Sequence, residues 1–334
     1  MKVKRILHIL SAKEFTEEFR ESFLADVEEM EKLRGDPSKR KGLLGFLKDV
    51  IIVLFFYEES TRTRISFEIA AHNLGARVIS AVNAGIFSSV KKGETFYDTI
   101  RTLIGYIPRF IILRHKVKGS AAQAARIVDE SGRNVSIINA GDGTGEHPTQ
   151  ALLDWWTIYK EKGRVEDLVV AVGGDLLHGR TTHSLVYLLS KYKGVSFIFI
   201  APDNLQMKKD LCDYLDVKGV EYEKTSDKRK IKEADVVYWT RTQKERMNTN
   251  KIYTWVRDLI YRLFCYVDTR YVITAEDADS MKEDAIIMHP FPRVGEITRA
   301  VDKNKRARYF QQSENGVLVR MVILCNLYGV KIRK

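Results

Sequence analysis

Residues 50–64 read VIIVLFFYEESTRTR, and this stretch decides much of the expected fold. Its first half is an unbroken apolar run, which is typical of a strand buried on both faces. A helical pattern begins directly afterwards and covers 61–74, so unpaired backbone N–H groups of a helix N-terminus point towards one spot. Hydroxyl donors and forked guanidiniums suited to phosphate stand there: Ser60, Thr61, Thr63, Arg62 and Arg64. The stretch predicts a phosphate site without a glycine-rich loop; the alternative is a helix N-cap followed by solvated arginines.

Strand patterns and helical patterns alternate along the rest of the chain. Apolar runs of strand length occupy 76–81, 107–113, 135–139, 168–172, 195–200, 235–239 and 285–288. Helical patterns cover 12–34, 149–159 and 315–327, and 334 residues are enough for two domains. Strands that alternate with helices form mostly parallel sheets covered by helices. We therefore expect an α/β fold with two domains, each a mostly parallel sheet flanked by helices, linked by bridging helices such as 149–159.

Composition and charge limit the classes of partner. The formal net charge is +11, but the basic residues are dispersed and no aromatic–basic repeat accompanies them, so no nucleic-acid partner is expected. Cys212, Cys265 and Cys325 are far apart and odd in number, which predicts neither a disulfide framework nor a zinc site and fits a reducing cytosol. The first residues lack the apolar core of a signal peptide, and no stretch is apolar enough to span a bilayer. The sequence predicts a cytoplasmic protein that binds no metal and no membrane.

Polar residues of the first half follow predicted strands. Arg114 and His115 end one strand, and His147 and Gln150 open the bridging helix after a glycine-rich turn. His147 can donate to an oxygen, and Gln150 can contact an amide or an amine. Ligands of open parallel sheets lie beyond the carboxyl ends of the strands. Together with the hydroxyls and arginines of 60–64, these residues predict a site that binds phosphate beside a polarised carbonyl.

Arginines also follow strands in the second half. Arg180 and Arg241 each come after a predicted strand, and guanidiniums recognise carboxylates through paired donors. The segment 289–293, HPFPR, predicts a rigid turn with a cis bond before Pro292. The loop 88–95, with two adjacent lysines, either closes over an anion or is a solvated loop that ends in a helix N-cap.

These motifs occur in the order and spacing of aspartate carbamoyltransferase catalytic chains, which the sequence resembles over about residues 6–329. The segment 60–64 is similar to one shared by all transcarbamoylases. The Lys-Lys-Gly-Glu loop, the segment 241–246 and the HPFPR turn resemble the aspartate branch. Ornithine enzymes carry a His-Cys-Leu-Pro turn where this chain has Pro290.

The resemblance implies a reaction and a division of the chain. Carbamoyl phosphate would pass its carbamoyl group to the amine of L-aspartate, an early step of de novo pyrimidine biosynthesis, without a cofactor. Residues 1–147 would bind carbamoyl phosphate, 148–304 would bind aspartate, and the C-terminal segment 305–334 would pack back on the first domain. The resemblance also implies an obligate homotrimer with shared active sites, and a regulatory chain is a further candidate partner.

Residue roles for the carbamoyl donor follow from the same resemblance. The phosphate would be held by Ser60, Thr61, Arg62 and Thr63. The carbamoyl oxygen would be polarised by Thr63, Arg114 and His147, while Gln150 would hold the carbamoyl nitrogen. The catalytic residues would be Arg62, Thr63, Arg114 and His147.

Roles for the acceptor are implied in the second half. The aspartate carboxylates would be bound by Lys92, Arg180, Thr181, Arg241 and Gln243. Ser88 and Lys92 would come from the neighbouring subunit. Glu58 would link the two domains on closure through Arg180 and Arg246.

The chain departs from the family pattern at three places. Glu59 stands where the family has a small residue or proline, and Gly295 replaces an aspartate. The segment 248–277 is longer and more aromatic than the family loop, so we expect altered closure or an added contact. The alternatives are a carbamoyltransferase for ornithine or an acylated ornithine, a non-catalytic paralogue that binds a partner, and a basic nucleic-acid binder. Arg180 and Arg241 favour an acceptor with two carboxylates.

Overall fold

A computed structural model describes residues 7–82, 93–241 and 269–333, and the chain divides into two compact units. Unit 1 comprises Met1–Trp156 and Ser313–Lys334, and unit 2 comprises Thr157–Gln312. Both boundaries fall inside helices, later in the chain than the predicted boundaries at 147/148 and 304/305. In the described ranges, no helix is both long and apolar enough to cross a membrane.

Unit 1 is built on a sheet of four parallel strands in the order β2-β1-β3-β4. The strands are β1 Ile51–Phe56, β2 Arg77–Val82, β3 Phe110–His115 and β4 Ser136–Asp142. The helices of the first half are α1 Glu17–Gly35, α2 Pro37–Arg40, α3 Thr61–Asn73, α4 Phe96–Gly105 and α5 Ser120–Ser131. The predicted strand at 50–56 is confirmed: β1 lies between β2 and β3, and only Ile51 of its side chains is exposed.

Unit 2 contains a sheet of five parallel strands in the order β7-β6-β5-β8-β9. The strands are β5 Val169–Gly173, β6 Ser196–Ile200, β7 Tyr222–Thr225, β8 Val236–Trp239 and β9 Ile286–Met288. Within the described residues its helices are α7 Arg180–Leu189, α8 Lys209–Lys218 and α9 Ala275–Asp279. Two helices contain the unit boundaries: α6 Pro148–Lys162 and α10 Tyr309–Tyr328. Both sheets are parallel and flanked by helices, so the predicted α/β fold class is confirmed.

Differences between predicted and observed elements have local causes. The third strand was expected to begin at residue 107, but Ile107 has a φ of 55° and is followed by proline, so β3 begins at Phe110. The first helix begins at Glu17, because the Thr16 side chain accepts the Phe19 N–H and caps it. Strand β7 was missed because it is a polar edge strand without an apolar run.

Gly174, directly after β5, lies where the loops beyond the unit 2 sheet are tightly packed. Its φ is +100°, and a Cβ there would lie 2.0 Å from the Thr240 carbonyl oxygen. Gly163 has a φ of +70°, and a Cβ added there would have no neighbouring atom within 4 Å. Gly163→Ala should therefore cost only the backbone strain, about 1–2 kcal/mol.

Gly174→Ala adds a backbone clash to that strain, and we expect a loss of about 3 kcal/mol or more. Thermal unfolding midpoints of both variants would measure the difference. Equal losses for the two glycines would contradict the packing described.

Candidate active site

The first turn of α3 lies at the carboxyl end of β1, where the sequence predicts the phosphate site. Ser60 is the N-cap residue. Its side chain makes no capping hydrogen bond and therefore does not occupy the N–H groups of the first turn. Thr61 and Arg62 are exposed, whereas Thr63 is buried with 7% exposure. Thr63 Oγ1 lies 3.4 Å from Nε2 of His147, which is 3% exposed. The structure thus brings together the two ends of the predicted donor site, although they are far apart in sequence.

Arg114 reaches the same edge of the sheet because β3 runs parallel to β1, with Arg114 opposite Phe56. Its Nη1 donates to the Ala140 carbonyl oxygen at 3.0 Å, and its Nη2 lies 3.6 Å from Glu58 Oε2. An oxygen from each side therefore orients the guanidinium. Glu58, expected to act in domain closure, makes this ion pair within unit 1.

The turn that leads to His147 is fastened by two carboxylates. Asp142 accepts the backbone N–H of Glu146 at 2.8 Å and that of Gly119 at 2.8 Å. Glu146 accepts from Ser11 Oγ at 2.5 Å and from the Ala12 N–H at 2.8 Å. Sequence reasoning missed both residues, because their partners come from distant segments and no spacing signals them.

Gln150 lies on the first turn of α6 and is 9% exposed. Its Nε2 donates to Asp154 Oδ1 at 2.9 Å. The second ring nitrogen of His147, Nδ1, is 3.3 Å from Thr149 Oγ1. Gln150 and His147 therefore each have a side-chain partner on α6 that limits rotation.

The predicted acceptor residues of unit 2 lie at strand ends. Arg180 is the first residue of α7 and is 4% exposed, Thr181 is half-buried, and half-buried Arg241 follows β8. The loop before α7 is held by Asp175, which is fully buried and accepts the His178 N–H at 3.0 Å. His183 Nε2 lies 2.7 Å from the Leu176 carbonyl oxygen. These bonds fix the backbone that presents Arg180.

The turn at 289–293 contains the predicted cis bond, between Phe291 and Pro292. His289 Nδ1 accepts the Phe291 N–H at 2.9 Å, and Nε2 lies 2.6 Å from Glu296 Oε1. Burial raises the pKa of Glu296, but the hydrogen bond and charge of His289 outweigh it and leave the pKa below its ordinary value. Glu296 is a further residue that the sequence reasoning missed.

Some predicted residues lie outside the described ranges: Ser88, Lys92, Gln243, Arg246 and most of the segment 248–277. Two departures from the family pattern, Glu59 and Gly295, lie within the described ranges. Glu59 is exposed to solvent. Gly295 has a φ of 117°, a conformation that glycine adopts without strain.

Comparison with known families also divides the chain into two parts. Residues 7–160 match the model of the aspartate/ornithine carbamoyltransferase carbamoyl-P binding domain, and 166–327 match the Asp/Orn binding domain. The chain belongs to the aspartate/ornithine carbamoyltransferase family. The side chains around Thr63, Arg114 and His147 all fall in the first of these family domains, and Arg180 and Arg241 fall in the second.

Relatives that match over most of this chain include plant and bacterial proteins. The chain is 43% identical over 319 residues to the chloroplastic aspartate carbamoyltransferase of Arabidopsis thaliana, covering 95% of this chain and 76% of that protein. It is 39% identical to the catalytic subunit of Aliivibrio fischeri (strain MJ11), covering 95% of each.

Solved structures of the family agree in fold. The catalytic subunit of M. jannaschii aspartate transcarbamoylase has a TM-score of 0.81 and 39% identity, covering 97% of this chain and 98% of that chain. The Trypanosoma cruzi enzyme in complex with carbamoyl phosphate has a TM-score of 0.83 and 35% identity, covering 96% and 95%.

Glu146 should make stability depend on pH. Burial raises its pKa above the ordinary 4.5, so the folded state retains a proton that the unfolded state releases. The stabilisation is complete below about pH 4.5 and is lost as the pH rises through the raised pKa of the folded state. Glu146→Gln cannot titrate, and its amide can still accept from Ala12 and donate to Ser11.

We expect the unfolding midpoint of the wild type to fall relative to Glu146→Gln as the pH rises above about 4.5. The measurement is the unfolding midpoint of both proteins over a pH series. Glu283→Gln, at a side chain that is 89% exposed, serves as the matched control and should follow the wild type. Parallel curves for wild type and Glu146→Gln would show that Glu146 does not titrate differently on folding.

Proposed function

We propose that this protein is an aspartate carbamoyltransferase, which forms N-carbamoyl-L-aspartate and phosphate from carbamoyl phosphate and L-aspartate, an early step of pyrimidine biosynthesis. The observation that carries the proposal is the contact of Thr63 with His147 beside Arg114, at the N-terminus of α3. Trypanosoma cruzi relatives have been solved with carbamoyl phosphate, with aspartate and phosphate, and with carbamoyl aspartate and phosphate.

The first turn of α3 holds the phosphate group. Its backbone N–H groups supply a positive end of the helix dipole, and Arg62 adds a guanidinium that can bind two phosphate oxygens. Ser60, Thr61 and Thr63 add hydroxyl donors. The exposure of Arg62 leaves its guanidinium accessible to an incoming anion.

The carbamoyl group lies against the buried donors. His147 Nε2, Thr63 Oγ1 and Arg114 are directed at the carbonyl oxygen, and Gln150 contacts the carbamoyl nitrogen. As the amine attacks the carbamoyl carbon, negative charge develops on this oxygen, and fixed donors stabilise it. Losing one such donor costs about 10²–10³ in rate.

Aspartate is held through its carboxylates by Arg180, Arg241 and Gln243, with Thr181 and Lys92 assisting. Both substrates are dianions that repel each other by about 4 kcal/mol per pair of unit charges 4 Å apart at an effective dielectric near 20. The arginines offset this repulsion and orient the amine, and positioning of two reactants lowers a barrier by about 7–11 kcal/mol. The leaving phosphate takes the electron pair of the broken C–O bond and accepts the amine proton, so no side chain is needed as a general base.

The acceptor is tested by assaying carbamoyl transfer from carbamoyl phosphate to aspartate, with ornithine in parallel. We expect product with aspartate only, because Arg180 and Arg241 match the two carboxylates of that acceptor. Transfer to ornithine would reverse the acceptor assignment. A folded protein that is inactive with both would favour a non-catalytic paralogue.

Assembly as a homotrimer with shared active sites belongs to the same proposal. In unit 1, exposed apolar side chains occur on α3 and on the edge strand β2: Ile65, Ile69, Ile79 and Val82. Apolar side chains exposed together are typical of subunit interfaces. The segment with Ser88 and Lys92 follows β2 directly in sequence and would reach the neighbouring site. A regulatory chain and a cytoplasmic location are further proposals. Relatives include chloroplastic proteins, so the location needs its own test.

Shared sites predict complementation between inactive variants. His147→Ala should lose about 10²–10³ in turnover. Lys92→Ala should also lose activity, because it removes an ammonium that binds the aspartate carboxylates. When the two are unfolded, mixed equally and refolded, head-to-tail contacts in a cyclic trimer place an intact His147 beside an intact Lys92 in some sites, restoring about a quarter of the wild-type activity. Absence of recovery in trimers that contain both chains would place both residues in the same subunit's site.

A further inference from the structure

A buried arginine of α10 lies against the helix that forms the phosphate site. Arg320 is 3% exposed, and its guanidinium carbon is 4.9 Å from the centre of the Phe67 ring on α3. A Cβ at Gly316 would come within 2.4 Å of Arg320 Nη1, so glycine leaves room for the guanidinium. Arg320 Nε has no hydrogen-bond partner in the described part of the chain. A cation in such surroundings requires a nearby anion, because an unpaired buried charge is costly.

Asp154 on α6 supplies that negative charge. Its side chain is fully buried. Burial lowers the pKa of Arg320 to about 10, and the charge of Asp154 opposes this shift. Arg320 is therefore a cation at neutral pH.

The carboxylate determines how the Gln150 amide is turned. Asp154 Oδ1 accepts from Gln150 Nε2 at 2.9 Å, one helical turn earlier on α6. An ionised carboxylate only accepts hydrogen bonds, whereas a carboxylic acid can also donate. Asp154 therefore holds the nitrogen end of the Gln150 amide, and the oxygen Oε1 remains available as an acceptor.

We propose that Asp154 and Arg320 are positioning residues that fix the Gln150 amide, so that its oxygen accepts from the carbamoyl NH₂ group and carbamoyl phosphate is selected over acyl phosphates without that group. The inference rests on the proposed function, which places Gln150 at the carbamoyl nitrogen. An amide turned the other way would set its own N–H donors against those of the substrate. Arg320 lies against Phe67 on α3, and the charge of Asp154 favours its protonated form.

Acetyl phosphate provides the probe, since it carries a methyl group in place of the carbamoyl nitrogen. In Asp154→Asn, the new side chain can donate or accept, so the Gln150 amide is free to turn. We expect the KM for carbamoyl phosphate to rise about 10- to 100-fold, the effect of facing donors left unpaired. The inhibition constants of acetyl phosphate and inorganic phosphate should change less than about twofold, because neither donates to Gln150.

A double variant separates positioning from folding. Asp154→Asn alone leaves Arg320 without its anion and is expected to be less stable, but Asp154→Asn/Arg320→Met removes both buried charges and should recover the unfolding midpoint. If the pair positions Gln150, discrimination between carbamoyl and acetyl phosphate stays lost in the double variant. Discrimination that returns together with stability would overturn the inference and leave the pair a purely structural role.

A control variant and the wild-type activity separate a failure of this inference from a failure of the proposed function. Asp129→Asn, at an exposed carboxylate of the same unit, should behave as wild type in every assay. A wild type that transfers no carbamoyl group would contradict the proposed function. A wild type that is active, with discrimination unchanged in both Asp154 variants, would contradict the inference alone.

Discussion

The parallel pairing of β1 with β3 is the interaction on which the proposed donor site depends. It sets Phe56 opposite Arg114, so the chain that leaves β1 and the guanidinium that ends β3 emerge at one edge of the sheet. The backbone N–H of Tyr57 donates to the Arg114 carbonyl oxygen at 2.8 Å, which continues the pairing to the edge. The α3 helix then begins within a few residues. A shift of register by one residue would turn the Arg114 side chain to the other face of the sheet.

Acidic side chains are the second constraint on the same unit. Carboxylates at Asp142, Glu146 and Asp154 lie in or near the turn and helix that carry His147 and Gln150. Each accepts hydrogen bonds from the backbone or from a side chain that must keep one orientation. Because a buried polar group without partners is costly, alternative loop conformations are disfavoured. The side chains proposed to be catalytic are thereby held before substrate arrives, which is the condition for electrostatic stabilisation of a transition state.

Unit 2 uses comparable means to present its arginines. Asp175 fixes the loop before α7, and the His289–Glu296 pair fixes the turn after β9. In both units, then, the groups assigned to substrate contact stand on backbone held by residues with no assigned contact of their own. Those supporting residues carry no motif by which a single sequence would identify them.

The sequence by itself determined the α/β class and most of the strands, and it suggested which residues form the proposed donor site. Unbroken apolar runs such as 50–56 are typical of strands buried on both faces, and the hydroxyls and arginines at 60–64 stand next to one of them. Tertiary structure decided what depends on contacts between distant segments. Strand β7 exists because an edge position accepts polar residues, and Glu146 meets Ser11 only after the chain has folded. The proposed link from Arg320 through Asp154 to Gln150 joins α10 to α6. Sequence periodicity describes each helix separately, so this link became visible only in the folded structure.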